Sequence, residues 1–194
     1  VLKTGRVATG RWSLDMTLFL LFLLAGVSAF IAYVSLQPDT FKIARSTIID
    51  APPERIYPLL NDLHNWAGWS PWARLDPQQV VTFEGSPLGA GAIMSWKGNR
   101  KVGTGKMKII ESRQNERVRL KLAFLKPLRA QNDVQFDLKP IDDARTEIVW
   151  AMSGKNEFVA KTMHAFMNMD KMIGEEFERG LANLKALAEA GVDA

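Results

Sequence analysis

Residues Lys42 to Trp72 read KIARSTIIDAPPERIYPLLNDLHNWAGWSPW, and this stretch decides the fold. Lys42 to Ile49 is rich in β-branched residues and stops at Asp50-Ala51-Pro52-Pro53, where two prolines remove backbone donors and fix φ. The reading is a strand that ends there and a helix that begins. Pro53 suits a first helical turn, Glu54 complements the helix dipole, and Ile56, Leu59, Leu60 and Leu63 recur at helical spacing. A proline inside a helix costs about 3 kcal/mol. Pro58 therefore predicts a short or kinked helix, followed by a turn at Asn61-Asp62.

Beyond Trp72 the pattern changes from helical to alternating. Gln79–Phe83, Ala92–Trp96, Gly105–Ile110, Arg117–Phe124, Asp133–Leu138 and Thr146–Met152 read as strands separated by Gly, Pro, Asn or Asp clusters. In Arg117–Leu122 and Asp133–Leu138 polar and apolar residues alternate, so each strand has one wet and one dry face. A cover for the dry faces follows. Ile173, Phe177, Leu181, Leu184 and Leu187 form an apolar stripe on a helix from about Asp170 to Glu189, and Met163, Phe166 and Met167 suggest a shorter helix before it. Antiparallel strands covered on one face by a long helix make an α+β domain.

Met16 to Leu36 is an uncharged apolar run of 21 residues. As a helix at about 1.5 Å per residue it reaches roughly 31 Å, the thickness of a hydrocarbon core. A core helix would show a polar face, and a signal peptide normally has a shorter apolar region and a small-x-small cleavage site, which Tyr33-Val34-Ser35-Leu36 fits poorly. The expectation is a single-pass anchor. Lys3, Arg6 and Arg11 precede it against Asp15 alone, which by the positive-inside rule keeps the N-terminus cytoplasmic and puts the domain on the periplasmic or extracellular side. The expected organisation is a basic arm over 1–15, a transmembrane helix over 16–36, a linker over 37–40 and one domain over 41–190.

The two blocks that carry the most specific pattern are Arg45-Ser46, Ala51-Pro52, Ile56-Tyr57, Asp62, Trp66 and Trp69-Ser70-Pro71-Trp72, and then Met169–Gly174, Phe177 and Gly180–Lys185. In this order they resemble the START-like, or SRPBCC, superfamily, in its polyketide cyclase or dehydrase subgroup, over roughly Phe41 to Glu189. The resemblance implies a helix-grip fold, with a curved antiparallel sheet of about seven strands wrapped on the long C-terminal helix and a cavity between them. It implies no single activity, since the superfamily holds lipid carriers, hormone receptors, cyclases, hydrolases and chaperone activators. The cavity lining expected here is Trp69, Trp96, Leu120, Phe124, Phe136, Trp150, Met163, Phe166, Met167, Ile173 and Phe177.

Polar chemistry is sparse. There are no cysteines, which removes disulfides, thiolate nucleophiles and thiolate metal sites. His64 beside Asp62 reads as a turn and capping pair, His164 as solvent-facing or packed, and no HExxH-type metal spacing occurs. Asp137 and Glu147 fall on the wet face opposite Phe136 and Trp150, and Asp142-Asp143 is a turn. The run of Gly85, Gly89, Gly91, Gly98, Gly103 and Gly105 lacks GxGxxG order and reads as hairpin turns. No catalytic residue, metal or cofactor is expected. The net charge of +4 is diluted along the chain and implies no nucleic-acid partner, though a modest attraction to anionic lipid headgroups is compatible with it.

Three functions compete at this level. A membrane-tethered domain that binds a lipid-like or other hydrophobic small molecule is the first, and Met163, Met167, Met169 and Met172 would suit its adaptable wall. The second is a cyclase or dehydrase acting on a hydrophobic substrate. The third is a protein-interaction module acting through the strand face of Arg117, Arg119 and Lys121, for which a solvated surface is the plainer reading. Trp66 and Trp72 are expected to plug the sheet end, while Trp69 is open between that role and a cavity mouth facing lipid.

Overall fold

The computed structural model describes residues 11–156, 161–162 and 168–190, with side chains from Leu14 onward. Met163, Phe166, Met167 and His164 lie outside the described residues. The elements run α1 (Arg11–Ser35), β1 (Thr40–Ile49), α2 (Pro53–Asn61), α3 (Trp66–Trp69), β2 (Val80–Gly85), β3 (Ala92–Lys97), β4 (Thr104–Arg113), β5 (Arg117–Lys126), β6 (Ala130–Asp142), β7 (Arg145–Lys155) and α4 (Met169–Glu189). Short 3-10 turns, Leu63–Asn65 and Pro71–Arg74, flank α3.

The seven strands form one antiparallel sheet in the order β1-β7-β6-β5-β4-β3-β2. Every step except β1 to β7 is a hairpin, so chain order and sheet order nearly coincide. Each strand falls where alternation put it, though β4, β6 and β7 are longer at both ends than Gly105–Ile110, Asp133–Leu138 and Thr146–Met152. Gly85, Gly89, Gly91 and Gly103 have positive φ, the conformation that makes tight turns accessible to glycine.

α2 is short and carries Pro58 inside it, while Pro52 caps its start in an extended conformation and Pro53 opens the first turn. Ile56 and Leu60 are its buried face, and Asp62 ends it. Asp62 then accepts the His64 backbone N–H at 2.9 Å and faces the ring Nδ1 at 2.7 Å, the expected capping pair. Ser70-Pro71 breaks the helical run after Trp69.

α4 covers the β1 side of the sheet through Gly174, Phe177, Gly180, Leu181, Leu184 and Ala188. Leu187, expected on this stripe, is 43% exposed, and Ala188 takes the inward position. Asn168 caps the helix by accepting the Lys171 N–H. Arg45, on the helix-facing side of β1, bridges to Asp170 at 3.0 Å and Glu178 at 2.9 Å. Its guanidinium lies where a Cβ on Gly174 would sit, so the glycine admits the arginine under the helix.

α1 is long and apolar enough over Leu14–Ser35 to cross a membrane. It is no core helix, since only Val34 along that span is buried. The chain is clamped where α1 ends. Asn156 donates its backbone N–H to the Asp39 carbonyl at 2.8 Å and its side-chain amide to the Pro38 carbonyl at 3.2 Å, and Lys161 Nζ meets the Asp39 carboxylate at 2.5 Å. Lys161 holds the Asp39 carboxyl below the usual carboxylate range. The segment between helix and sheet is therefore held against the end of β7.

Candidate functional site

Antiparallel register stacks the inward-facing side chains into rows that cross the sheet. One row runs Arg45, Trp150, Phe136, Val118 and Ser112, and the next runs Ile43, Met152, Val134, Leu120 and Ile109. The apolar members of both are buried. In the first row the space between sheet and helix is filled by aromatic rings. Trp150 stacks on Phe177 of α4 at 4.2 Å and 7°, Phe136 tilts against Trp150 at 5.0 Å, and Trp69 meets both edge-on. Trp66 donates its Nε1–H to the Leu60 carbonyl and Trp69 to the Leu59 carbonyl, each at 3.0 Å. The tryptophan turn thus plugs the space between sheet and helix. Trp69 is fully buried with its donor satisfied, so it presents neither face nor N–H to lipid.

The third row is different. Phe41, Gly154, Asn132, Leu122, Met107, Met94 and Phe83 follow one another across all seven strands. Leu122, Met107, Met94 and Phe41 are only half-buried although they point inward, and Phe83 at the edge is exposed. This row is an apolar floor left partly open. Its one polar side chain is Asn132, 6% exposed on a strand position otherwise occupied by Val134, Phe136 and Leu138. Asn132 Oδ1 leans over Gly154, where a Cβ would approach it to 2.3 Å. Among the described residues no hydrogen-bond partner meets this amide. Its polar atoms keep contact with solvent, whereas the side-chain donor that is fully buried without a partner here is Trp150 Nε1, in the aromatic filling.

The expected lining residues therefore divide. Trp69, Phe136, Trp150 and Phe177 come together as the aromatic filling, Leu120 sits in a sealed row, and Ile173 is half-buried on α4 beside the core. Trp96 and Phe124 pair edge-on at 5.9 Å at the far end of the sheet. There Trp96 folds over Gly105, where a Cβ would lie 2.3 Å from its ring, and donates to the Val102 carbonyl. Of these, Phe124 and Ile173 stay half-exposed, and Phe124 lies two residues along β5 from Leu122 of the open row. Leu122, Met107, Met94 and Asn132 were missing from the expected lining. Leu122 shares the phase of Leu120 and was legible, but Asn132 fell in a supposed turn because β6 was expected to begin one residue later.

Several polar groups outside the rows hold elements together. Tyr57 Oη and Ser112 Oγ lie 2.7 Å apart and Ser112 donates to Asn61 Oδ1 at 2.5 Å, which docks α2 on β4 across the bulge near Ile110. Arg117, Arg119 and Lys121 on the outer face meet Asp137, Glu111 and Asp133, so that face is neutralised rather than basic. Arg119 and its neighbours hold the Glu111 carboxyl low, and Asp137 raises Arg117. A depression of about 160 Å³ lies between Leu63-His64 and the β2–β3 hairpin, with His64 stacked on Phe83 at 3.9 Å. No cluster of His, Asp or Glu among the described residues has metal-binding geometry.

A seven-stranded sheet gripping a long C-terminal helix, with an apolar interior, defines a helix-grip domain of the START-like class. The family model for polyketide cyclase / dehydrase and lipid transport matches residues 40–189, and the chain belongs to that family. Similar solved structures share the fold. An aromatase/cyclase, Zhui, from a Streptomyces species is 13% identical, with a TM-score of 0.58 over 79% of this chain and 96% of that one. The Aha1 dimer from Colwellia psychrerythraea is 18% identical, with a TM-score of 0.56 over 78% and 98%. A protein from Chromobacterium violaceum is 20% identical, with a TM-score of 0.55 over 79% and 99%. No curated protein matches the chain.

Proposed function

We propose that this protein is a membrane-tethered binding domain for a lipid-like or other hydrophobic small molecule, held on the open row of the sheet. The observation that carries the proposal is the contrast in burial between rows of one sheet. Leu122, Met107 and Met94 remain half-open while Leu120, Ile109 and Val134, one row away, are sealed. Thioether side chains suit this role because they repack around varied apolar shapes. Asn132 narrows the ligand class to molecules with a long apolar body and a hydrogen-bonding group such as a carbonyl or hydroxyl, because one amide offers both donor and acceptor. The family's description, which includes lipid transport, agrees with this reading.

α1 supplies the tether by its length, apolarity and lack of buried contacts, and the basic residues before it favour a cytoplasmic N-terminus with the domain on the other side. A cyclase or dehydrase would need ionisable groups at the reacting centre, and the described members of the open row offer an amide instead. The test is extraction of the full chain in mild detergent followed by mass spectrometry of the organic extract. An apolar species retained near equimolar amounts, and lost from a Met107→Glu/Leu122→Glu double variant, is expected. Its absence from the wild-type protein would overturn the proposal.

A further inference from the structure

The end of the sheet where α1 joins gathers exposed basic side chains on neighbouring turns. The start of β1, the end of β7, the β3–β4 turn and the β5–β6 turn all lie there, because strand order and antiparallel register put them there. The turns carry Lys97, Arg100, Lys101, Lys126 and Arg129, all exposed, and Lys155 ends β7. Among the described residues none of these cations is in an ion pair. The carboxylates of the same segments are already engaged, Asp39 by Lys161 and Asp76 by the backbone N–H groups of Gln78 and Asn99. At the other end and on the outer face, Arg113, Arg117, Arg119, Lys121, Lys139 and Arg145 each sit against a carboxylate, while Lys106 and Lys108 on the outer face of β4 are exposed cations without one among the described residues. Leu125 and Leu128, 44% and 52% exposed, add apolar tips to the basic β5–β6 turn.

We infer that this end of the domain is a docking surface for anionic phospholipid headgroups. A membrane surface is the occupant the observations favour, because a helix of membrane length leaves from the same end and the clamp of Asn156 and Lys161 on residues 35–39 fixes that end toward it. Basic side chains near an anionic bilayer each strengthen association roughly fivefold, and exposed leucines insert at the headgroup boundary. Docking end-on sets the open row against the lipid, because Phe41 and Gly154 follow Thr40 and Lys155 by one register step. Ligand exchange then runs along the membrane surface. The docking itself stands on charge and position and does not require the ligand proposal.

The experiment is hydrogen exchange on the full chain in nanodiscs of phosphatidylcholine alone or with phosphatidylglycerol. Exchange in segments 98–103 and 125–130 is expected to slow several-fold in the anionic discs and to recover at high salt. An Arg100→Glu/Lys101→Glu/Lys126→Glu/Arg129→Glu variant, shown to be folded by unchanged exchange in β6, is expected to lose the difference. An Arg113→Glu/Lys139→Glu variant at other sites should keep it. Equal exchange in the two kinds of disc, or protection that survives the four charge reversals, would overturn the inference. So would protection conferred by duplex DNA in neutral discs with none from phosphatidylglycerol.

Discussion

Two rows of the same sheet, one register step apart, differ in what closes them. Ile43, Met152, Val134, Leu120 and Ile109 are sealed against the core, whereas Phe41, Leu122, Met107 and Met94 pack against its edge and stay half-buried. Residue type does not separate them, since methionine and leucine occur in both. Position relative to the helices does. A helix-grip sheet is wider and longer than one helix can cover, so the uncovered part of its inner face is either filled by side chains or left for a ligand. Here aromatics fill one part, and Leu122, Met107 and Met94 stay half-buried in another.

The comparison breaks first in the filled part. Phe177→Ala and Trp150→Ala remove rings stacked at 4.2 Å in a closed space, and each is expected to cost about 3–5 kcal/mol by denaturant unfolding. Gly180→Ala should cost about 1–3 kcal/mol, because its Cβ would press to 2.7 Å on the Trp150 ring and to 3.1 Å on Pro71, neither of which has room to move. If either class of change proved neutral, the filled part would be looser than described.

Changes in the open row should be milder for stability and larger for binding. Leu122→Ala is expected to cost only about 1 kcal/mol, since a half-exposed side chain has less burial to lose. Asn132→Leu should change stability by less than about 1 kcal/mol, because the amide makes no described hydrogen bond and keeps contact with solvent. The same substitution should weaken oleyl alcohol binding while sparing a plain hydrocarbon of equal length; equal loss for both would remove Asn132 from the recognition of the polar group.

The smallest effect concerns the clamp. The Asp39 carboxyl is held below its ordinary 3.8 by Lys161, so its contribution is complete above that value and is lost as pH falls through the lowered one. Exchange of the Asn156 amide, which donates to the Asp39 carbonyl, should be insensitive to pH-linked opening between pH 5 and 8 and should accelerate only in strong acid. Opening that begins near neutrality would exclude the carboxylate as its cause.

Much of this arrangement was legible before any coordinates. Strand phase placed Phe136 and Trp150 inward and Asp137 and Glu147 outward, the prolines at 52 and 53 located the first turn of α2, and the glycine turns followed from the absence of a phosphate-binding order. What the sequence could not carry was coverage. Leu120 and Leu122 have identical side chains and identical phase, and only the placement of helices on the sheet makes one sealed and the other open. Cation pairing was equally hidden, because Arg117 and Asp137 are neighbours only through register, while Lys126 and Arg129 are left over at a turn. The sequence pattern also kept Trp69 open as a rim residue, which its Nε1–H bond to the Leu59 carbonyl and full burial resolve.

The difference between the rows can be read in a single spectrum. In methyl NMR of the methionine-labelled full chain in nanodiscs, titrated with oleyl alcohol, saturable shifts are predicted at Met94 and Met107 in the open row. Met152 in the sealed row should stay in place. Unmoved Met94 and Met107 signals, or a Met152 shift of equal size, would contradict the assignment of the open row as the binding site.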